Sequence, residues 1–223
     1  LEYLKRALDE LLKLEKPDKL KLAKCYHGIG RVMNFDQTAP KNALEYLEKG
    51  LKVREKFARE EPGLSQNHID IGHYYAINKK NKKAREYYEK ALEMRKKKFG
   101  NSNPYVAFSY NDVANLLSRN KEYDEALVYY EEEHKVLSEC FNSEHPRIGW
   151  SYNSLGDMYL NLGKYEKALE TYNKSLDIMS KYDNISNVFI YNSIAKLYLE
   201  TGEKEKALDY SKKAYEEQIE ITG

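Results

Sequence analysis

Cysteine is nearly absent from this chain of 223 residues: Cys25 and Cys140 stand 115 positions apart in segments that read as helical. That excludes a disulfide framework and fits two reduced thiols in an intracellular compartment. Proline is scarce as well, and Pro17, Pro40, Pro62, Pro104 and Pro146 all fall outside the interiors of the helical patterns, so nothing breaks long helices. No stretch approaches the roughly 18 consecutive apolar residues of a membrane span, and no charged-then-apolar leader opens the chain, so a soluble, cytoplasmic protein is expected. Net charge is lacking too. With 37 basic against 36 acidic residues the balance is +1, which argues against a nucleic-acid or other polyanion partner. Catalytic patterns are also missing. The five histidines are scattered, and His68 and His73 are five apart rather than the four that set two metal ligands on one helical face. Neither cysteine lies in a nucleophile motif, and no glycine-rich loop follows a strand. The expectation is therefore no enzyme, no metal and no cofactor. The first residue is Leu1 rather than Met, inside a helical stripe, which predicts a fragment of something longer.

What is present is repetition. Small residues recur at Gly30, Gly72, Ala114, Gly156 and Ala195, and alanines at Ala43, Ala84, Ala126, Ala168 and Ala207. The alanine spacings of 41, 42, 42 and 39 define a period near 42. Pro17, Pro62, Pro104 and Pro146 separate the units, and Pro40 stands where a second helix begins. In the clearest copy, Trp150 to Ser180, the residues Tyr152, Leu155, Tyr159 and Leu162 share one helical stripe; Ala168, Leu169, Tyr172, Leu176 and Met179 share another; Gly163 breaks the two apart. Each unit thus reads as two antiparallel helices joined by a tight turn. A small residue is needed where the helices cross, because a larger one would push the backbones apart. Tyrosine, at 21 residues, fills the remaining space. Residues 1–17 read as the second helix of a truncated repeat, followed by repeats at 20–62, 63–104, 105–146, 147–186 and 187–223. The stretch Tyr182 to Asn187 reads as a linker without proline. The charge is divided: residues 1–100 hold 24 basic against 15 acidic residues, and residues 101–223 hold 13 against 21.

The residues Tyr152, Leu155-Gly156, Tyr159, Ala168, Tyr172 and Ser175 resemble the tetratricopeptide pattern of an aromatic, Leu-Gly and Tyr in one helix, then Ala, an aromatic and Ala in the next. The 42-residue period, the linkers Phe99-Gly-Asn-Ser-Asn-Pro104 and Phe141-Asn-Ser-Glu-His-Pro146, and the helix opening Val106-Ala-Phe-Ser-Tyr-Asn-Asp-Val-Ala114 resemble the longer subtype found in kinesin light chains. Departures are His68 where other units have Tyr, an extra residue in the first unit's turn, and Ser211 in place of a second-helix aromatic. The resemblance implies an all-α, right-handed α-solenoid of helix-turn-helix repeats whose first helices line a concave groove.

Residues one, four and eight places into each first helix avoid the core stripe and share a face. They are Lys24, His27 and Arg31; Gln66, Ile69 and His73; Phe108, Asn111 and Asn115; Trp150, Asn153 and Asp157; Phe189, Asn192 and Lys196. The asparagine ladder Asn111, Asn153 and Asn192 suits a peptide backbone, since a side-chain amide both donates and accepts. Phe108, Trp150 and Phe189 read either as exposed anchors or as packing between units. Lys24 and Arg31 favour an acidic partner segment near the amino-terminal repeats, and Asp157 would repel one. The function expected is a scaffold or adaptor that holds a peptide segment of a partner protein, with no nucleic acid and no membrane involved and with self-association left open. The alternative is a sensor whose superhelix responds to a peptide or signalling ligand and controls an attached effector module.

Overall fold

The alternation of apolar stripes with glycine and proline breaks becomes eleven α-helices, with no strand, among the described residues. The computed structural model describes residues 1–36, 40–59, 63–182 and 184–222. Pro62 and the extra residue of the first turn lie outside them. The helices fall into two compact units, Leu1–Lys98 and Phe99–Gly223. The first contains α1 (Glu2–Lys13), α2 (Lys19–Asp36), α3 (Pro40–Phe57), α4 (Gly63–Ile77) and all but the last residue of α5 (Asn81–Phe99). The second contains α6 (Pro104–Arg119), α7 (Tyr123–Cys140), α8 (Pro146–Asn161), α9 (Tyr165–Met179), α10 (Asn184–Glu200) and α11 (Lys204–Thr222). The predicted linker Tyr182 to Asn187 is corrected here, because α10 begins at Asn184.

Helix starts and stops have local causes. Asn103 caps α6 by accepting the Tyr105 amide at 2.9 Å, and His145 Nδ1 caps α8 by accepting the Arg147 amide at 3.1 Å. Pro104 and Pro146 follow these caps directly, where the missing amide hydrogen has no helical acceptor to lose. The turns inside the pairs pass through a left-handed residue: Lys79, Lys121, Gly163 and Gly202 have φ of 56°, 64°, 70° and 82°.

Packing repeats with the same period. In the first unit α2 packs on α1 and α3, and α3 on α4. In the second, each helix from α6 to α11 packs on the next. Ala43, Ala84, Ala126 and Ala168 are fully buried, and Ala207 nearly so. A Cβ on Gly156 would sit 2.5 Å from the Tyr172 ring, and one on Gly72 the same distance from Tyr88, so the aromatic occupies the space a side chain there would need. Tyr172, Leu137, Met179, Ile190 and Ile194 centre the apolar core of the second unit. At roughly 1.5–3 kcal/mol for each fully buried large apolar side chain, this stack is the main stabilising contribution.

Candidate partner-binding trough

Three columns of side chains were expected to point away from the core, and the structure treats them differently. Three of the eighth-place residues, His73, Asn115 and Asp157, are tied to the tyrosine that follows 15 positions later on the second helix. Tyr130 donates its hydroxyl to Asn115 Oδ1 at 2.9 Å, and Tyr172 donates to Asp157 Oδ1 at 2.7 Å. His73 meets the edge of Tyr88 at 5.4 Å between ring centroids. Ser193 adds a weaker bond to Asp157 Oδ1 at 3.4 Å. Burial raises the Asp157 pKa above the usual carboxylate range, against the opposing effects of Tyr172, Lys196 and Ser193. The constant spacing of 15 was visible in the sequence and is the signal that would have found these anchors.

The fourth-place column is the least uniform. His27 is buried and paired with Asp70, whose other oxygen accepts from Gln66 at 3.3 Å; Gln66 in turn accepts from Arg95 at 3.1 Å. Ile69 is buried as well. The expectation of groove positions at His27 and Ile69 is therefore corrected: both are buried, His27 through its pairing with Asp70. Lys24 and Arg31 are exposed on α2, and His73 is partly exposed on α4. Asn111 donates to buried Glu133 at 2.9 Å and accepts from Asn115 at 2.6 Å, so its amide is committed within the protein. Glu133 occupies the place that in the next repeat is Ser175, whose hydroxyl is spent on the Gly149 carbonyl at 2.7 Å. Asn153 accordingly has no such partner, and its Oδ1 is buried without a hydrogen bond. Asn192 is exposed.

The first-place aromatics resolve into two kinds. Phe108 is half-buried against the core, with the Arg147 guanidinium 4.2 Å above its ring. Trp150 and Phe189 are 39% and 56% exposed, their centroids 6.2 Å apart and their planes open at 57°. They head a trough between α8 and α10 with a volume of about 470 Å³, whose walls also include Asn153, Asp157, Asn192, Ser193 and Lys196. A second recess, of about 390 Å³, shares Asp157, Ser193 and Lys196 and runs on to polar groups of α6 and α7 such as Asn115 and Tyr130. Six of the expected residues, Trp150, Asn153, Asp157, Phe189, Asn192 and Lys196, thus line one trough. No group of histidine, cysteine and carboxylate side chains able to hold a metal ion occurs among the described residues.

Paired helices of constant period, glycine under tyrosine at two of the crossings and a left-handed residue in the turns of four described pairs define a helical-repeat protein. Residues 64–139, 109–181 and 147–216 match the tetratricopeptide repeat, and the chain belongs to that family. No curated protein matches the chain by sequence. Among solved structures, BtubC (BKLC) from P. vanneervenii superposes with a TM-score of 0.85 at 18% identity, covering all of this chain and 91% of that one. A chain of nearly identical repeats described as a kinesin light chain, from Podosopora anserina, gives a TM-score of 0.77 at 20% identity, covering 92% of this chain and 99% of its own. A Rap protein complexed with Competence and Sporulation Factor gives 0.69 at 15% identity, over 99% and 70% of the two chains. At these identities the likeness is one of fold. No helix among the described residues is long and apolar enough to cross a membrane.

Proposed function

We propose that the protein is a non-catalytic adaptor that holds a peptide segment of a partner protein in the trough between α8 and α10. The observation that supports this is the pair Trp150 and Phe189, two large aromatics left open to solvent beside the amides of Asn153 and Asn192. Leaving aromatic area in water forgoes about 25 cal/mol per Å², and a partner side chain seated there would recover it. Aromatic anchors beside polar side chains are the composition of binding hot spots. The ladder expected over three asparagines shortens in this reading to Asn153 and Asn192, because Asn111 is occupied by Glu133 and Asn115.

A peptide array probed with the purified chain tests the reading. Peptides that bind should compete with one another, and Phe189→Ala together with Asn192→Ala should weaken them about tenfold or more with helicity unchanged. Undiminished binding by the double variant would place the partner surface elsewhere.

A further inference from the structure

The turn between α4 and α5 carries charge that the fold does not use. No acidic residue stands between Asp70 and Glu86, a stretch that holds five lysines and arginines. Lys79, Lys80, Lys82 and Lys83 are exposed and pair with no carboxylate among the described residues. Lysines elsewhere do pair: Lys49 meets Glu45 at 2.7 Å, Lys174 meets Glu170 at 2.6 Å and Lys181 meets Glu144 at 2.7 Å. Over residues 78–83 the balance is +4, whereas over the corresponding stretches 120–125, 162–167 and 201–206 it is −2, +1 and 0. Helix α5 opens on Lys82 and Lys83, whose sign opposes the helix dipole, where α7 opens on Asp124 and Glu125, α9 on Glu166 and α11 on Glu205. Four neighbouring cations also repel one another, so this cluster costs the fold stability rather than adding to it.

Apolar side chains stand on the same edge. Phe35 near the end of α2 and Ile77 at the end of α4 are 72% and 48% exposed. Each lies five residues past the glycine of its crossing, Gly30 or Gly72, so the two share one register on first helices that pack together. In the second unit that register holds Arg119, Asn161 and Glu200. The first unit thus presents two bare apolar side chains at its turns together with lysines that lack a counter-charge. A polyanion would meet the lysines and leave Phe35 and Ile77 in water. An apolar protein surface would cover those two and bury cations unpaired. A bilayer with anionic headgroups meets both, because its phosphate plane lies directly above the apolar phase. Side chains on exposed turns reach the acyl boundary while the lysine ammoniums stay among the phosphates.

We infer that the turn edge of the first unit, formed by Phe35, Ile77 and the lysines between 79 and 83, rests peripherally on an anionic phospholipid membrane. The near-zero net charge does not oppose this, since a local patch makes the contact, and a surface contact needs no spanning helix. The edge belongs to the first unit and the trough to the second, so membrane contact does not depend on the adaptor reading.

Sedimentation of the whole chain with vesicles is the test. Vesicles of phosphatidylserine and phosphatidylcholine in equal parts should bind at low salt about tenfold better than phosphatidylcholine alone, or more, and added salt should weaken the binding. Each lysine at such a surface strengthens binding about fivefold, so Lys80→Gln with Lys83→Gln should lower the partition about 25-fold. Lys164→Gln with Lys167→Gln removes the same charge from the equivalent positions of the α8–α9 turn and should change it less than about threefold. Phe35→Ser with Ile77→Asn should lower binding about tenfold at about 0.15 M salt, where charge is screened, with circular dichroism unchanged in every variant. Equal binding to the two vesicle types, binding to neither, or an equal loss in the Lys164 and Lys167 variant would overturn the inference. Vesicle binding that ignores the changes at Phe35 and Ile77 would also overturn it, and RNA or polyglutamate bound as tightly would then identify a polyanion surface.

Discussion

At the scale of the residue, Glu133 occupies the repeat position held by Ala91 and Ser175 in neighbouring units, and it is 7% exposed. Burial pushes its carboxyl up from 4.5 to about 7, with Asp112 adding to the rise and Asn111 and Arg147 opposing it. Because the folded value lies above the unfolded one, the folded chain retains a proton between pH 4.5 and about 7 that the unfolded chain has lost. The stability this contributes is complete below pH 4.5 and is lost as pH rises through 7. Glu133→Gln keeps an acceptor for Asn111 and cannot ionise. It should raise stability by about 1–3 kcal/mol at pH 8 and by little at pH 4, read from thermal melts at the two values. Equal effects at both values would contradict this account. The same residue shows where the sequence was hard to read. Asn111, Asn153 and Asn192 form one column by spacing, yet they differ in environment because the facing position changes from Glu133 to Ser175. The contrast between Glu133 and the small residues in its column was visible; what it did to Asn111 depends on a 2.9 Å contact between helices that no spacing reveals.

The element scale is where the sequence was most legible, since helix limits depend on local chemistry. Proline after a capping side chain starts α6 and α8. The turns required more of the chain than their residues suggest. Gly163 and Gly202 adopt positive φ without strain, but Lys79 and Lys121 also stand at positive φ, and neither announces a left-handed conformation. Backbone hydrogen bonds close these turns around them, from the Lys80 amide to the Tyr75 carbonyl at 2.8 Å and from the Glu122 amide to the Leu117 carbonyl at 2.9 Å. An L-residue with a side chain loses roughly 1–2 kcal/mol in that region, and glycine gives back about 0.5–1 kcal/mol through its freedom in the unfolded chain. Lys121→Gly should therefore stabilise the protein by about 0.5–1 kcal/mol, a rise of a few degrees in melting temperature. A fall would mean that the Lys121 side chain makes a contribution larger than the strain. The early start of α10 at Asn184 was missed for a related reason: with no proline between units, helix and linker look alike in sequence.

At the scale of the whole molecule, the sign of the charge changes where the chain divides into its two compact units, from +9 over residues 1–100 to −8 over residues 101–223. The charge division was plain in the sequence; the division into compact units was not, because the repeat period runs through it unchanged. Two molecules can bring unlike charges together although each is nearly neutral. Attraction of this kind is screened as the Debye length falls from about 30 Å at 0.01 M salt to about 8 Å at 0.15 M. Static light scattering at neutral pH should show net attraction between molecules at low salt, weakening as salt is added. Repulsion that grows as salt is removed would show that the small net charge governs instead.

The tyrosine packed against a glycine at the α4–α5 and α8–α9 crossings bears on how such a chain can change by recombination. Glycine and tyrosine come from different helices of one pair, so a crossover within the pair separates them and leaves either a hole or a collision. A crossover in the linker between pairs keeps them together. The inheritable cassette is thus the complete pair, and duplications that respect its ends can lengthen the array without disturbing its packing.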